Sequence, residues 1–380
     1  MMFSLIYLFP ILVSTLVLSS EFIYPKGLPC KVHNRTALDC SKRKLASIPL
    51  LKEDNVKSLN LSYNQLETVI GTSFIHLTSL QELDLSQNSV KDIRFDTILP
   101  LQVLDFSYNK IRNISSDTFT GLNKLETLDL SHQDLPYPIP QILTLHGSPF
   151  ISTTSLKKLD IVNCSLHSLP PSVFSGLHAL QELDISSNSI NVLPDSVFQD
   201  LTNLTHLNVR STRPPVDYSP PADLFKYLIS LQYLDLSWNY ISSLPDTLFV
   251  NLISLQHLDL SRNTYISSLP ETLFVNLISL QHLDLSWNAI SSLPETVFVN
   301  LTSLQHLDLS HNHISSLPET LFMSLTHLIY LDISYNSLST TPCKAIEGLQ
   351  MLSTLKMVDN KFDYITCPFV NPTDLKELFI

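Results

Sequence analysis

Glycine is scarce in this chain of 380 residues, which contains only six of them. Phosphate-binding loops and strained nucleophile turns depend on glycine, so the sequence predicts neither nucleotide binding nor serine-hydrolase chemistry. Charged residues make up only 15% of the chain, the net charge is −12, and no run of Lys or Arg could follow a phosphate backbone. We therefore expect no nucleic-acid partner.

Cysteine is also rare, since the chain has five, and no two of them form a Cys-x-x-Cys pair. That spacing is typical of thiol redox motifs and zinc ribbons, so the sequence predicts neither. No motif fixes a tetrahedral arrangement of ligands, and we expect no metal and no cofactor. These shortages disfavour an enzyme of any kind.

Long apolar runs are confined to the first segment, where residues 6–18 are mostly apolar and are followed by Ser19 and Ser20. We interpret residues 1–20 as a secretory signal peptide; because no basic residue precedes the run, an uncleaved anchor is the alternative. No second run is long enough to span a bilayer, so we expect a secreted protein or one on the extracellular side of a membrane. Six Asn-x-Ser/Thr glycosylation acceptors agree with secretion: Asn34, Asn60, Asn113, Asn163, Asn203 and Asn300.

The chain is rich in leucine at a regular interval. The segment SLQHLDLSWN ending at Asn288 recurs as SLQHLDLSHN ending at Asn312, a step of 24 residues. The pattern L-x-x-L-x-L-x-x-N, or a near variant, closes at thirteen positions, which we call ladder positions: Asn64, Asn88, Asn109, Gln133, Cys164, Asn188, Thr212, Asn239, Asn263, Asn288, Asn312, Asn336 and Asn360. This is the leucine-rich-repeat signature, in which Cys is an accepted substitute for Asn.

The repeat predicts short parallel strands stacked into a solenoid. Side chains alternate along a strand, so Leu258 and Leu260 point inward while His257 and Asp259 point to solvent. Each ladder amide is expected to turn inward and bond unpaired backbone groups, with weak points at Gln133 and Thr212. A phenylalanine on each return path is expected to fill the core: Phe74, Phe119, Phe174, Phe198, Phe249, Phe274, Phe298 and Phe322. The predicted fold class is an α/β repeat solenoid, a horseshoe with a concave parallel β-sheet and a mostly irregular convex side.

The cysteines are placed where a solenoid needs end caps. Cys30 and Cys40 bracket a short segment before the first repeat, and a disulfide between them would form an N-terminal cap at residues 21–49. Cys343 and Cys367 each follow a ladder Asn by seven residues, so they are expected to lie on adjacent coils and to form a second disulfide. About 13 coils then fill residues 50–367, residues 368–380 form an incomplete C-terminal end, and Cys164 is expected to be a buried, inert thiol.

Outward-facing strand positions form three columns across the coils. The aspartate column comprises Asp84, Asp105, Asp129, Asp160, Asp184, Asp235, Asp259, Asp284, Asp308 and Asp332. Like charges this close repel, so the column either meets cations or is tolerated through neighbouring hydroxyls, or is simply scaffold sequence. The histidine column comprises His206, Tyr233, His257, His282, His306 and Tyr330. Imidazoles titrate near pH 6.5, so this column could make binding depend on pH; a metal array is a weaker alternative.

The third column, which we call the variable column, is the residue before each ladder position. Residues 241–260 and 266–285 are nearly identical, yet the variable column changes through Trp238, Arg262, Trp287 and His311, and Tyr335, Tyr108 and Tyr63 extend it. Exposed Trp, Tyr and Arg are enriched at binding hot spots, although drift at a permissive position gives the same pattern. The predicted ligand-binding residues are Tyr233, Trp238, His257, Arg262, His282, Trp287, His306, His311, Tyr330 and Tyr335. No glycosylation acceptor faces the ligand side over this range.

Two proline-rich insertions interrupt the period. They separate Gln133 from Cys164 and Thr212 from Asn239, and both leave from the same lateral edge. Insertions on a repeat scaffold often serve binding, so a second, lateral site is a hypothesis alongside that of unselected surface loops.

The Cys-bracketed cap and the 24-residue coils with Leu-Pro and Phe on the return path resemble extracellular leucine-rich-repeat proteins over residues 30–367. Within that class the chain looks most like a Toll-like receptor ectodomain, and secreted repeat proteins and variable lymphocyte receptors are also similar. The resemblance implies innate immune recognition of a protein, glycan or other pathogen-associated ligand, with a receptor homodimer forming on the ligand. The alternative is a secreted adhesion or extracellular-matrix protein.

Overall fold

The computed structural model describes residues 30–34, 36–51, 54–133, 142–215, 217–362 and 375–379. The predicted signal peptide, Cys367 and residues 134–141 of the first insertion lie outside these ranges. The strands in chain order are β1 (Lys31–Asn34), β2 (Ala37–Asp39), β3 (Ser58–Asn60), β4 (Thr68–Ile70), β5 (Glu82–Asp84), β6 (Asp92–Arg94), β7 (Val103–Asp105), β8 (Asn113–Ile114), β9 (Thr127–Asp129), β10 (Thr144–Leu145), β11 (Lys158–Asp160), β12 (Glu182–Asp184), β13 (His206–Asn208), β14 (Tyr233–Asp235), β15 (His257–Asp259), β16 (His282–Asp284), β17 (His306–Asp308), β18 (Tyr330–Asp332), β19 (Thr354–Lys356) and β20 (Glu377–Phe379). A 3₁₀ turn (Gly71–Phe74) and one α-helical turn, α1 (Cys343–Ile346), are the helical elements among the described residues.

One long sheet runs through the molecule. Within the described residues it has sixteen strands in the order β1-β2-β3-β5-β7-β9-β11 and then β12 to β20 without a break. Every pair is parallel except β1 with β2, and equivalent residues of successive coils pair in register, as His257 does with His282. Two short parallel pairs, β4–β6 and β8–β10, form separately. This is the predicted leucine-rich-repeat solenoid, built of about 13 turns with few helices.

The core is built from the repeated apolar positions. The central leucine of each strand from β2 to β19 in the long sheet is buried, as Leu258, Leu283 and Leu307 show, because the alternation of a strand sends it away from solvent. The return-path phenylalanines stack behind the leucines at about 6 Å between ring centroids, from Phe174 to Phe322. The prediction of a phenylalanine core is confirmed, and the structure adds two residues from the insertions' coils, Phe150 and Phe225.

The ladder amides satisfy the backbone where each coil turns. The side-chain amide of Asn263 donates to the carbonyls of Leu236 and Leu260 at 3.0 Å, and its Oδ1 accepts from the backbone N–H of Ile241 at 3.2 Å. The expected weakness at Gln133 is wrong. Its Nε2 donates to Phe106 and Leu130 at 2.8 and 3.0 Å, and its Oε1 accepts from the Ile111 N–H at 2.9 Å, so the longer side chain reaches every partner.

Thr212 occupies its ladder position differently. Its hydroxyl and its backbone N–H both donate to Oδ1 of Asn239, each at 2.8 Å. The side-chain amide of Asn239 in turn donates to the carbonyl of Val209 at 2.8 Å. Asn239 therefore makes the connection between these two coils.

The N-terminal end of the solenoid is capped at the two cysteines that the sequence predicts. Cys30 and Cys40 form a disulfide, with 4.1 Å between their Cα atoms, and β1 covers the outer edge of β2 as an antiparallel strand. Cys343 is disulfide-bonded, and its predicted partner, Cys367, lies outside the described residues. Cys164 is buried, and its thiol lies 3.1 Å from the carbonyl oxygen of Leu130.

The second insertion packs against the solenoid. Tyr218 forms a parallel β-bridge with Ile241, and its carbonyl accepts from the backbone N–H of Ser242 at 2.9 Å. Burial raises the pKa of the Tyr218 hydroxyl to about 12. The insertion is therefore paired with the following coil through Tyr218. No helix among the described residues combines the length and the apolar character needed to cross a bilayer.

Candidate recognition surface on the concave sheet

The histidine column forms a continuous stack of rings. The centroid distances are 4.6 Å for Tyr233–His257, 4.3 Å for His257–His282, 4.2 Å for His282–His306 and 4.0 Å for His306–Tyr330, and the planes are nearly parallel. The stack forms because in-register parallel pairing places these side chains on neighbouring strands at one strand spacing. Five of the ten predicted binding residues thus form one surface.

A cation closes the C-terminal end of the histidine column. Nζ of Lys356 lies 5.1 Å from the ring centroid of Tyr330 and 3.8 Å from a carboxylate oxygen of Asp332. The protein itself therefore shows how a cation is held between this column and the aspartate column.

Burial controls the protonation of the histidines. Burial, together with a smaller contribution from the adjacent His282, lowers the pKa of His257 to about 4. Burial likewise lowers the pKa of His306 to about 4, again reinforced by His282. For His257, His282 and His306 the expectation of a pKa near 6.5 is therefore wrong. At neutral pH the stack is uncharged.

The aspartate column is held by hydrogen bonds within each coil. In most coils Oδ1 accepts from the backbone N–H two residues later, as Asp259 does from Ser261 and Asp308 does from Ser310, both at 2.8 Å. Burial raises the pKa of Asp308 to about 6, and the carboxylate of Asp284 adds to that rise. Burial also raises the pKa of Asp160 to about 6. The turn hydrogen bonds therefore only partly offset the effects of burial and of repulsion between neighbouring carboxylates.

The variable column forms a second stack. The guanidinium carbon of Arg262 lies 4.5 Å from the ring centroids of both Trp238 and Trp287. Trp287 then stacks on His311 at 3.8 Å, and His311 on Tyr335 at 4.2 Å. The other five predicted binding residues therefore form one continuous surface too. Trp238 is 44% and Tyr335 46% exposed, so the stack is open to a partner.

The backbone at the variable column is unusual. Its residues have positive φ in every described coil, with values of 60° at Trp238, 55° at Trp287 and 55° at Tyr335. This left-handed conformation is unfavourable for residues with a Cβ, and the column contains no glycine. Sequence reasoning missed it because glycine is the usual signal for positive φ.

The glycosylation acceptors lie around this surface. Asn60 falls in the aspartate column and Asn163 in the variable column, both in the N-terminal half. Asn203 and Asn300 are exposed on the return paths, where their amides donate to the carbonyls of His178 and Val275, each at 2.7 Å. Asn113 is exposed in β8, and the side chain of Asn34 lies outside the described part. The stretch from Tyr233 to Tyr335 is therefore free of acceptors on its concave side.

Two hollows lie along the edge that the variable column borders. One, of about 210 Å³, is lined by Ser211, Arg213, Trp238, Tyr240, Arg262, Thr264 and Trp287. The other, of about 430 Å³, shares Ser211 and Arg213 and extends toward His132 and Asn163. Sequence reasoning did not single out Arg213 or Tyr240, because each lies outside the three columns. Among the described residues, no three His, Cys, Asp or Glu side chains converge in a way that could hold a metal ion.

Comparisons with known proteins agree with the fold. The leucine-rich-repeat family matches residues 52–90, 89–135, 154–213, 221–264, 254–314 and 309–362. Mouse osteomodulin is 30% identical over 146 residues, covering 37% of this chain and 30% of that protein. Zebrafish leucine-rich repeat-containing protein 3 is 35% identical over 88 residues, covering 23% and 33%. The chain thus spans about a third of the length of these relatives.

The solved structures show the same architecture. A chain from the Drosophila Toll–Spätzle complex in its glycosylated form superposes with a TM-score of 0.74 and 21% identity, covering 86% of this chain and 44% of that one. A second structure of the complex gives a TM-score of 0.63 and 23% identity, covering 80% and 43%. At this identity the likeness concerns the fold. The family matches and the repeat geometry together show that this chain belongs to the leucine-rich-repeat family.

Proposed function

We propose that this protein is an extracellular recognition module that binds a protein ligand along the concave face between His206 and Tyr335. The observation that carries the proposal is the pair of stacks on one face, the histidine column and the variable column. From Tyr233 to Tyr335 this concave face carries no glycosylation acceptor. Stacked rings give a rigid surface that loses little conformational entropy on binding. The Cys30–Cys40 disulfide and the glycosylation acceptors support an extracellular location.

The finer proposal is innate immune recognition of the Toll-like kind, in which a ligand brings two copies of the receptor together. Its support is the likeness to a chain of the Toll–Spätzle complex over 86% of the present chain. A mutational test uses recombinant Spätzle and proteins captured from extracellular fluid of the source organism as probes. The double variant Tyr233→Ser, Tyr330→Ser should weaken binding at least tenfold while secretion is unchanged.

Matched substitutions on the convex side provide the control. Ile253 and Ile278 are 53% and 55% exposed on the return paths, so Ile253→Ser with Ile278→Ser alters exposed apolar surface away from the sheet. Binding that survives the tyrosine variant and is lost in the isoleucine variant would place the site on the convex side and reject the proposal.

The second candidate function is adhesion in the extracellular matrix. It is favoured by a row of exposed apolar side chains on the return paths, Ile229, Ile253 and Ile278. Adhesion through this row predicts self-association. Sedimentation of the secreted protein at rising concentration distinguishes the two functions, because a chain that stays monomeric does not support adhesion through self-association.

A further inference from the structure

The smaller hollow beside the variable column combines cationic and aromatic groups. Arg213 and Arg262 line it together with Trp238, Trp287 and Tyr240, and its volume is about 210 Å³. We call it the arginine–tryptophan cavity. Tyr240 is 41% exposed, so its ring is accessible from solvent. The cavity shares Trp238, Arg262 and Trp287 with the variable column and adds Arg213 and Tyr240, which lie outside the three columns.

The two arginines have no carboxylate partner among the described residues. None of the ion pairs among the described residues involves Arg213 or Arg262. This holds although acidic side chains outnumber basic ones and the net charge of the chain is −12. Arg213 is exposed, and the faces of the Arg262 guanidinium are covered by indoles, 4.5 Å from each. Stacking on its faces orients a guanidinium and leaves the N–H groups at its edge to bind an anion in the plane.

The rest of the lining suits a sugar. The hydroxyls of Ser211 and Thr264 can both donate and accept hydrogen bonds, as sugar hydroxyls require. The phenol ring of Tyr240 offers flat apolar surface for the C–H groups of a pyranose ring. The cavity is smaller than the ~300–1,000 Å³ typical of drug-sized ligands, so it suits one ring. The adjoining hollow of about 430 Å³, lined by Ser165, Ser187 and Ser189, gives room for further units.

We propose that the arginine–tryptophan cavity binds an acidic saccharide, whose sulfate or carboxylate is held by Arg213 and Arg262 and whose ring lies on the exposed side chain of Tyr240. Sulfate esters and sugar carboxylates share this chemistry, and the experiment distinguishes them. This activity adds to the proposed protein recognition and does not depend on it.

Intrinsic fluorescence is the direct readout, because Trp238 and Trp287 are the two tryptophans of the chain and both line the cavity. A heparin-derived hexasaccharide, 3′-sialyllactose and neutral lactose are titrated separately into the secreted full chain at physiological salt. Saturable quenching by the sulfated or the sialylated probe, with lactose at least tenfold weaker, is expected. Equal binding of all three probes, or no response to either acidic probe, would overturn the proposal.

Arg213→Gln isolates the anion contact. We expect it to raise the dissociation constant of the acidic probe at least tenfold, because one guanidinium of the pair is lost, and Arg213→Lys to restore only part of the affinity. Arg94→Gln removes the same charge at an exposed arginine whose partner is Asp96, so it controls for net charge. Equal weakening by both Gln variants, or no weakening by Arg213→Gln, contradicts a specific site. The double variant Tyr233→Ser, Tyr330→Ser should leave saccharide binding unchanged. A failure of the protein-recognition proposal can therefore be distinguished from a failure of the saccharide proposal.

Discussion

The imidazole rings of His282 and His306 are stacked, with 4.2 Å between centroids and 15° between planes. Such close contact is compatible with neutral rings and unfavourable for two cations. The pKa of His306 is accordingly lowered to about 4, first by burial and then by the charge that His282 would carry. The same two causes lower the pKa of His257 to about 4.

Acid should therefore destabilise the concave face through these histidines. An unfolded histidine takes up its proton near pH 6.5, whereas the folded ones resist it until about pH 4. The unfolded state binds more protons across that window, so stability is lost as pH falls from about 6.5 to 4. The double variant His257→Asn, His306→Asn should lose less stability over this range than the parent, by on the order of 1 kcal/mol per site after allowance for partial exposure.

Urea unfolding at pH 7, 5.5 and 4 measures this difference. The variant is expected to be less stable than the parent at pH 7, because it lacks the stacked rings, and to approach or overtake it at pH 4. His76→Asn, at an exposed histidine outside the column, controls for the loss of one imidazole. Parallel pH profiles for the parent and the double variant would contradict the stated cause.

The aspartate column should respond to pH in the opposite direction. Burial and the neighbouring Asp284 raise the pKa of Asp308 to about 6, so the folded state favours the protonated acid and its charge at pH 7 is destabilising. Asp308→Asn should therefore stabilise the protein at pH 7 by on the order of 1 kcal/mol. The gain should disappear as pH falls from about 6 toward 3.8, because the parent carboxylate becomes neutral as well.

The chain's own repeats show that asparagine fits this position. Asn208 occupies the same place in β13, where its Oδ1 accepts from the backbone N–H of Arg210 at 3.0 Å and its amide donates to Asp184 at 2.9 Å. Asp246→Asn, at an exposed aspartate on a return path, makes the same change of charge and should have little effect on thermal stability. A loss of stability at pH 7 in Asp308→Asn would refute the role given to charge repulsion.

The positive φ of the variable column predicts a stabilising glycine. Ser187 has φ of 57°, is exposed, and does not belong to either stack. A residue with a Cβ is destabilised by about 1–2 kcal/mol in this conformation, and glycine avoids that cost. The greater conformational freedom of glycine in the unfolded chain offsets part of the gain. Ser187→Gly should raise the free energy of unfolding by roughly 0.5–1 kcal/mol.

Ser268→Gly is the matched control for that substitution. Ser268 is also exposed but is not among the residues with positive φ, so the same change should destabilise by roughly 0.5–1 kcal/mol. Thermal melting of the two variants beside the parent measures both effects. Shifts of the same sign at Ser187 and Ser268 would show that backbone conformation does not decide the outcome.

The fold was predictable because a 24-residue period determines both the strand register and the face to which each side chain points. Leu258, His257 and Asp259 lie as the alternation requires, and both columns of binding residues stack as parallel pairing dictates. The pKa values were not predictable, because they depend on how deeply His257 is buried between neighbouring coils. Nor could the sequence show that Gln133 reaches the same carbonyls as asparagine, since that depends on the position of the backbone around it.

The cavity beside the variable column also escaped sequence reasoning. Arg213 lies just after a ladder position, at the start of an insertion whose path no repeat predicts. Trp238 and Tyr240 line the same cavity and lie where the coil that contains the insertion ends. Tyr218 of the insertion forms a bridge with Ile241. Such a contact arises from irregular structure, which periodicity does not describe.

The ladder amides should be the most sensitive polar positions in the molecule. Asn263 is fully buried, its amide donates to the carbonyls of Leu236 and Leu260, and its Oδ1 accepts from the N–H groups of Asn239 and Ile241. Asn263→Ala leaves these groups without partners, so we expect a loss of about 3–5 kcal/mol from several unsatisfied groups at about 1–3 kcal/mol each.

Amide hydrogen exchange locates that loss within the solenoid. The N–H groups of Asn239 and Ile241 should exchange much faster in Asn263→Ala, while coils far from the substitution keep their protection, because each repeat contacts only its neighbours. Asn276→Ala is the control, since the amide of that partly exposed residue makes a single bond to the carbonyl of Val250 at 2.7 Å. Faster exchange spread evenly over all coils would mean that the solenoid unfolds as one unit, and the ladder would then stabilise the whole sheet rather than one turn.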